Sequence, residues 1–253
     1  MSLLIQEARY RKKEQASCII IFIHGIAEGP AQFNELFEIS FSCGYSVATL
    51  LLPGHGGSGK EFADSSKDLW IGHVISEIAS YRKLYSEIIL VGHSMGALLA
   101  LLAYEHTSSQ IKSIVALNAP LFVFVKPMAI RNNLKIGLCK NINEDDPAMA
   151  VLQASSIGAC SVVTYIKWLP RIFDLFRIMN QARKLLYNIG VPIMVVHADK
   201  DELVSSRSVY LFKKRISTKL LNIVHLPEST HFVSEKRDLL SLHKKYIDFI
   251  LNN

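Results

Sequence analysis

The chain has 253 residues, half of them hydrophobic and a fifth charged, so it can bury a substantial core and is neither disordered nor fibrous in composition. Its formal charge of +6 comes from basic residues scattered over helix-like stretches such as Lys213-Lys214-Arg215 and Lys244-Lys245. These read as solvated helix faces, and with no nucleic-acid motif beside them a nucleic-acid partner is not expected. No apolar run approaches the roughly 18 to 20 residues that span a bilayer, which excludes stable membrane insertion from the expectations.

At the N-terminus a short apolar start, Leu3-Leu4-Ile5, precedes the basic run over 9–13. A secretory leader has the opposite order, charges first and a longer apolar stretch after. The four cysteines, Cys18, Cys43, Cys139 and Cys160, are widely spaced without metal-ligand pairing and read as reduced thiols, so a cytoplasmic location is expected.

Continuous β-branched and aliphatic runs predict strands at 17–23, 45–50, 87–91, 113–117, 191–197 and 220–225, covered on both faces rather than on one. Helical spacing of apolar residues falls between them, at 68–84, 97–104, 211–216 and 239–251. Such alternation predicts an α/β fold with a mostly parallel central sheet, helices on both faces, and ligand binding at the carboxyl ends of the strands. The rhythm fails between 121 and 188, where apolar residues recur at helical intervals and Pro127, Pro147 and Pro170 interrupt them. Three or four short helices forming an inserted cap are expected there, which divides the chain into a core, 1–120 and 189–253, and a cap, 121–188.

The pentapeptide Gly92-His93-Ser94-Met95-Gly96 lies between a predicted strand and a predicted helix. In that setting Gly-x-Ser-x-Gly describes a serine on a sharp strand-to-helix turn, with glycines where the two backbones approach too closely for side chains. A serine hydroxyl needs a base to take its proton and a third group to hold the base in the right tautomer. His231 follows the last predicted strand in the polar loop 227–232 and so falls at the same edge of the sheet as Ser94. The orienting carboxylate is sought after the strand at 191–197, where Asp199 and Asp201 both stand. Asp201 is preferred, since a short loop is needed to carry the carboxylate across to the histidine.

Donors for the negative oxygen of a tetrahedral intermediate are expected from the backbone N–H of Met95, at the start of the elbow helix, and of Ile26, in the turn His24-Gly25-Ile26-Ala27-Glu28-Gly29. His24 and His93 are assigned ordering roles through hydrogen bonds. The glycine-rich turn around His55 lacks the spacing and the Ser/Thr of a phosphate-binding loop, so a nucleotide is not expected.

Together, the His24-Gly25 strand end, the Pro53-Gly54-His55-Gly56 turn, the Ser94 pentapeptide, the Ala198-x-x-Asp201 segment with Val204 and the His231 loop occur in the order found in α/β-hydrolases, which the chain resembles over nearly its whole length. Within them it resembles small-capped bacterial carboxylesterases and monoacylglycerol lipases, whose catalytic Asp lies in Gly-x-x-Asp-x-x-Val; here Ala198 replaces the glycine. The resemblance implies an α/β-hydrolase fold, Ser94 as nucleophile, His231 as base, Asp201 as orienter, an acyl-serine intermediate, and no metal or organic cofactor.

Phe122, Phe124, Trp168 and Phe173 are candidate acyl-pocket residues in the cap. The expected substrate is a small-molecule ester with a short to medium apolar acyl chain, and transient contact with a lipid interface is compatible with the basic surface. Monoacylglycerol or lysophospholipid lipases, acyl-thioesterases and carbon–carbon bond hydrolases use the same three residues, and a noncatalytic receptor on the same fold is a further alternative.

Overall fold

A computed structural model of the chain describes residues 6–127, 131, 146–158 and 160–253. Seven strands among these residues form one sheet: β1 (Arg9–Arg11), β2 (Cys18–Ile23), β3 (Ser46–Thr49), β4 (Glu87–His93), β5 (Ile111–Leu117), β6 (Ile193–Ala198) and β7 (Leu221–Leu226), in the order β1-β3-β2-β4-β5-β6-β7. All pairs are parallel except β1 with β3.

The six strands expected from the apolar runs are present within two residues of their expected bounds. In β2 the side chains alternate between the two faces, Ile19, Ile21 and Ile23 packing in one apolar cluster and Ile20 and Phe22 in the other. Both sets are buried, which is why the run carries no polar alternation. β7 departs from that expectation: only Val224 and Leu226 are buried along it, as suits the edge of the sheet.

β1 was not expected, because a short polar strand has no apolar pattern to betray it. Its three residues are exposed and pair with β3 through the backbone, while the guanidinium of Arg9 lies 4.5 Å from the Phe37 ring centre and that of Arg11 lies 3.7 Å from Phe41. Cations on an edge strand discourage pairing with another chain.

On one face, α1 (Asn34–Ser42) and α9 (Lys236–Asn252) bury Leu36, Phe37, Leu242, Tyr246 and Phe249 against Phe22, Val91 and Val196. On the other, α3 (Lys67–Tyr81) contributes Trp70, Val74 and Ile78, and α8 (Arg207–Arg215) contributes Phe212. Each such large apolar side chain contributes about 1.5–3 kcal/mol by leaving water. The helix α4 (Met95–Thr107) is apolar around most of its circumference because it is enclosed by the sheet, by α3 and by α7 (Leu169–Leu185).

Between β5 and β6 the described residues form α5 (Pro147–Ala154), α6 (Val162–Lys167) and α7. Pro147 and Pro170 do not interrupt helices but stand at helix starts, where the missing N–H has no partner to lose, and α7 is accordingly a long helix of 17 residues rather than a short one. α7 is fastened to the short helix α2 (Gly59–Asp64) and to α3. Trp168 Nε1 donates to Gly59 O (2.8 Å), Arg171 to Ala63 O (2.8 Å), and the buried Asp174 accepts from the Lys67 amide at the start of α3 (3.3 Å). Cys139 lies outside the described residues; Cys18, Cys43 and Cys160 are unpaired thiols.

Candidate active site

The site is assembled at the carboxyl ends of β2, β4 and β6 and in the loop after β7. Ser94 follows β4 directly, with φ 52° and ψ −123°, a left-handed conformation that costs a non-glycine residue on the order of 1–3 kcal/mol. The turn is held by the Ser94 amide, which donates to Leu117 O (2.9 Å) at the end of β5. A Cβ on Gly96 would lie 1.9 Å from Ile23 O, and one on Gly92 would lie 2.4 Å from Ala97 N, so both glycines are required by close backbone approach.

His231 and Asp201 meet. His231 Nδ1 lies 2.8 Å from Asp201 Oδ2, both side chains being almost wholly buried. Nδ1 therefore carries the proton and Nε2 is left available. Asp201 Oδ1 accepts from the amides of Leu203 and Val204, each at 2.7 Å, so the carboxylate cannot swing away. Burial opposes its ionisation, but His231 and these two amides outweigh that and hold its pKa below the ordinary carboxylate range. Asp199 is elsewhere, on the half-exposed His225 at 2.8 Å. Among the described residues no hydrogen bond joins Ser94 Oγ to His231; such contacts are often long without substrate.

Two carboxylates that the sequence reading passed over also face His231. Glu202 accepts from its amide (3.1 Å), and Glu28 Oε1 lies 3.8 Å from its Nε2. Glu28 is buried in the turn after β2, where Oε2 accepts from the Gly25 amide (2.8 Å), from Gln32 Nε2 (2.9 Å) and from His93 Nδ1 (2.8 Å). Burial opposes its ionisation, yet His93 outweighs that, with His231 and Gln32 adding, and its pKa falls to about 2. For His231, burial disfavours the cation, but Asp201 first and then Glu28 and Glu202 outweigh it, so its pKa is raised above 6.5. The available signal for Glu28 was an acid beside glycines at the end of a buried strand, where an ionised side chain needs a reason to be. Asn118, also unremarked in the sequence, takes a positive φ of 45°, accepts from the Ala198 amide (2.9 Å), and brings its Nδ2 within 3.5 Å of His231 O.

The turn at 24–28 is ordered by two imidazoles. His24 Nε2 accepts from the Leu52 amide and His55 Nε2 from the Ala27 amide, both at 3.0 Å, so both rings are neutral and protonated at Nδ1. Burial lowers His24 to about 4 and His55 to about 3, which matches that requirement. The amides of Gly25, Ala27 and Glu28 are thereby all engaged, Glu28 donating to Gly25 O (3.3 Å). No protein acceptor is described for Ile26 N–H, nor for that of Met95, which as the first residue of α4 has no partner within its helix.

None of the four aromatics expected in an acyl pocket lines the cavity beside His231. Phe124 and Phe173 are exposed to solvent, Phe122 lies against Arg183 (5.0 Å), and Trp168 packs on Phe62 (4.7 Å) while bonding Gly59. A cavity of about 160 Å³ beside His231 is lined instead by Gln32, His93, Asn118, Ala154 and Phe232, with Glu35 and His243. Packing of α6 and α7 on α2 accounts for Trp168, and the outward face of α7 for Phe173. α5 reaches the site through the Ser156 amide, which donates to Ala27 O (3.0 Å) just past its end.

A thermostable monoacylglycerol lipase from Bacillus sp. (strain H-257) is 22% identical over 233 residues, covering 91% of this chain and 89% of that protein. A protein of Mycoplasma genitalium is 28% identical over 112 residues, and that match spans only 40% of its length. Among solved structures, one from a study of two metagenome-derived lipolytic enzymes, LipS and LipT, has a TM-score of 0.78 at 19% identity, covering 100% of both chains. The monoacylglycerol lipase of Paleococcus ferrophilus has a TM-score of 0.66 at 17% identity, covering 98% of this chain and 99% of that one. These likenesses show the fold, an α/β-hydrolase with a seven-stranded, mostly parallel sheet. Residues 14–236 match the Hydrolase_4 family, described as serine aminopeptidase, S33, and the chain belongs to that family of α/β-hydrolases.

Proposed function

We propose that the protein is a serine esterase that cleaves carboxylic esters with short to medium apolar acyl chains. The observation that carries this is the 2.8 Å contact between His231 Nδ1 and Asp201 Oδ2 at the sheet edge where Ser94 stands on its strained turn. Ser94 Oγ attacks the ester carbonyl as its proton passes to His231 Nε2, and Asp201 keeps the other ring nitrogen protonated. The free N–H groups of Ile26 and Met95 receive the carbonyl oxygen as it becomes negative, each worth about 3–4 kcal/mol. His231 then gives its proton to the departing alkoxide, leaving an acyl-serine. Water, deprotonated by His231, attacks that acyl group and releases the acid and Ser94.

The described helices between β5 and β6 act as a cap over this centre, Ser156 just past α5 being the part that touches the loop carrying Ile26. The unpaired thiols suit a reducing cytoplasm. No helix among the described residues is long and apolar enough to cross a membrane. An interfacial substrate is favoured by one surface: Val162, Val163 and Ile166 on α6 and Leu169, Phe173 and Phe176 on α7 are all exposed, beside the cations Lys167 and Arg177. The relatives described as monoacylglycerol lipases make a monoacylglycerol the second substrate to try.

The test is labelling with a fluorophosphonate, followed by a chain-length series of p-nitrophenyl esters and the matching thioesters. Wild-type protein takes the label and turns over esters; Ser94→Ala does neither while keeping its circular dichroism spectrum. Turnover by Ser94→Ala, or failure of folded wild-type protein to label, refutes the proposal. Retained esterase activity with no sedimentation on anionic vesicles limits the substrate to dissolved esters.

A further inference from the structure

Glu28, His93 and His231 are the one group of three metal-ligating side chains found converging among the described residues. All three are buried, each offers one donor atom, and those atoms lie within 4.8 Å of one another. We propose that they form an inhibitory site for a transition-metal cation of the Zn²⁺ type, which silences the enzyme by occupying His231 Nε2.

The donor set fits the ion. Two imidazoles and one carboxylate form a ligand set that zinc takes in proteins, with a fourth position left for water. The outer contacts are also those of a metal site. His231 donates its other ring nitrogen to Asp201, which fixes the tautomer and aims Nε2 inward, and Glu28 is held in place by the Gly25 amide and Gln32. A cavity of about 160 Å³ borders both His93 and His231 and is lined by further polar groups, Gln32, Asn118 and Glu35.

The geometry needs a modest adjustment. Tetrahedral ligands at about 2.1 Å from zinc stand about 3.4 Å apart. Glu28 Oε1 lies 3.8 Å from His231 Nε2, close to that, but it is Oε2 that contacts His93 Nδ1 at 2.8 Å, so the carboxylate must turn to serve both with one oxygen, and a 4.8 Å separation would have to close by roughly 1.4 Å, within reach of side-chain rotation. Binding at His93 Nδ1 moves the single ring proton to Nε2, which faces His231 O at 3.3 Å, so that the neutral ring offers its Nδ1 lone pair to the cation. A lone pair bound to the metal cannot accept the proton of Ser94. Loss of activity thus rests on the role proposed for His231, whereas metal binding does not.

The experiment separates the two. Zn²⁺ is titrated calorimetrically into chelator-treated Ser94→Ala protein, where hydrolysis is absent by design, and into wild type. One ion per chain is expected in both, with Ser94→Ala binding as tightly as wild type. Glu28→Gln and His231→Ala each lower affinity at least about tenfold, and Asp201→Asn, through the outer contact alone, lowers it about 10- to 100-fold. In wild type, Zn²⁺ abolishes ester turnover at one ion per chain and EDTA restores it. Co²⁺ in place of Zn²⁺ gives the visible absorption of a low-coordinate site, and that band is missing in folded Glu28→Gln protein. The absence of saturable binding, or binding unchanged in both Glu28→Gln and His231→Ala, overturns the assignment, since the ion is then on surface groups or nowhere. Binding without inhibition retains the site but refutes its effect on the reaction.

Discussion

Replacing Glu28 by Gln removes a negative charge 3.8 Å from His231 Nε2 while keeping an oxygen to accept the Gly25 amide. Two unit charges at that distance interact by about 1 kcal/mol if screened as in water and about 4 kcal/mol at the effective dielectric of about 20 that suits protein sites. At about 1.36 kcal/mol per pKa unit, the His231 imidazolium should lose between roughly 0.8 and 3 units of basicity. The sign is fixed by the chemistry. As the proposed base, His231 must be neutral to take the Ser94 proton; its pKa is raised in the intact protein, and removing a cause of that rise makes the neutral form available at lower pH. In wild type the acid limb of kcat/KM should therefore lie above pH 6.5, and in Glu28→Gln it should move down by about one unit or more. The height of the profile falls too, because the turn carrying Ile26 is disturbed, but the position of the limb is independent of its height. Rates are followed between pH 4.5 and 9 with a neutral ester and chromatographic detection of the acid. An acid limb that stays in place, or moves upward, refutes the electrostatic role given to Glu28.

The other expected outcomes use the same coordinates. Asp201→Asn should lower kcat by about 10⁴-fold by misplacing the His231 tautomer. Asp199→Asn, which removes only a half-exposed partner of His225, should stay within about twofold, and equal losses in steady-state assays would mean that the acid is wrongly assigned. Gly96→Ala drives a methyl group against Ile23 O and should cost about 3 kcal/mol or more, read as a lower urea midpoint; an unchanged midpoint contradicts the packing given for the elbow. His24 and His55 have pKa values depressed to about 4 and about 3, so on acidification the unfolded chain takes up protons before the folded one does. Their contribution to stability, several kcal/mol together, should be complete above about pH 6.5 and lost progressively as pH falls toward 4; urea midpoints that stay level over that range would exclude it.

The sheet was legible because burial on both faces leaves its mark in unbroken runs such as Ile19 to Ile23, and the elbow because Gly92 and Gly96 are demanded by backbone contacts that no other residue permits. Asp201 was separable from Asp199 by the short loop needed to reach the histidine and by the pattern with Ala198 and Val204, and the structure adds two amides gripping Oδ1. What could not be read is what depends on three-dimensional neighbours alone. β1 is held by a partner backbone and by side-chain contacts to Phe37, Phe41 and Tyr85 that lie far from it in the chain, not by an apolar pattern of its own. Glu28 gains its meaning from His93 and His231, 65 and more than 200 residues away in the chain. The cap aromatics were chosen for composition, and composition does not distinguish a side chain turned inward from Phe173, turned to solvent on the outer face of α7.

The turn after β2 explains why one amide among its neighbours is free. Gly25 N–H is held by a carboxylate, Ala27 N–H by a neutral imidazole and Glu28 N–H by a carbonyl, and these three attachments fix the orientation of the peptide plane between them. Among the described residues Ile26 N–H is left without a protein acceptor while its neighbours have one, and a donor so fixed needs no reorganisation when an oxygen becomes negative in front of it. The choice of imidazole matters here. His24 and His55 can accept an N–H only while unprotonated, and burial keeps them so down to about pH 4, well below the range in which His231 gains its proton. Loss of activity between pH 5 and 7 therefore reports the base and not collapse of the turn, which is the condition under which a displaced acid limb in Glu28→Gln can be read as a change in His231 alone.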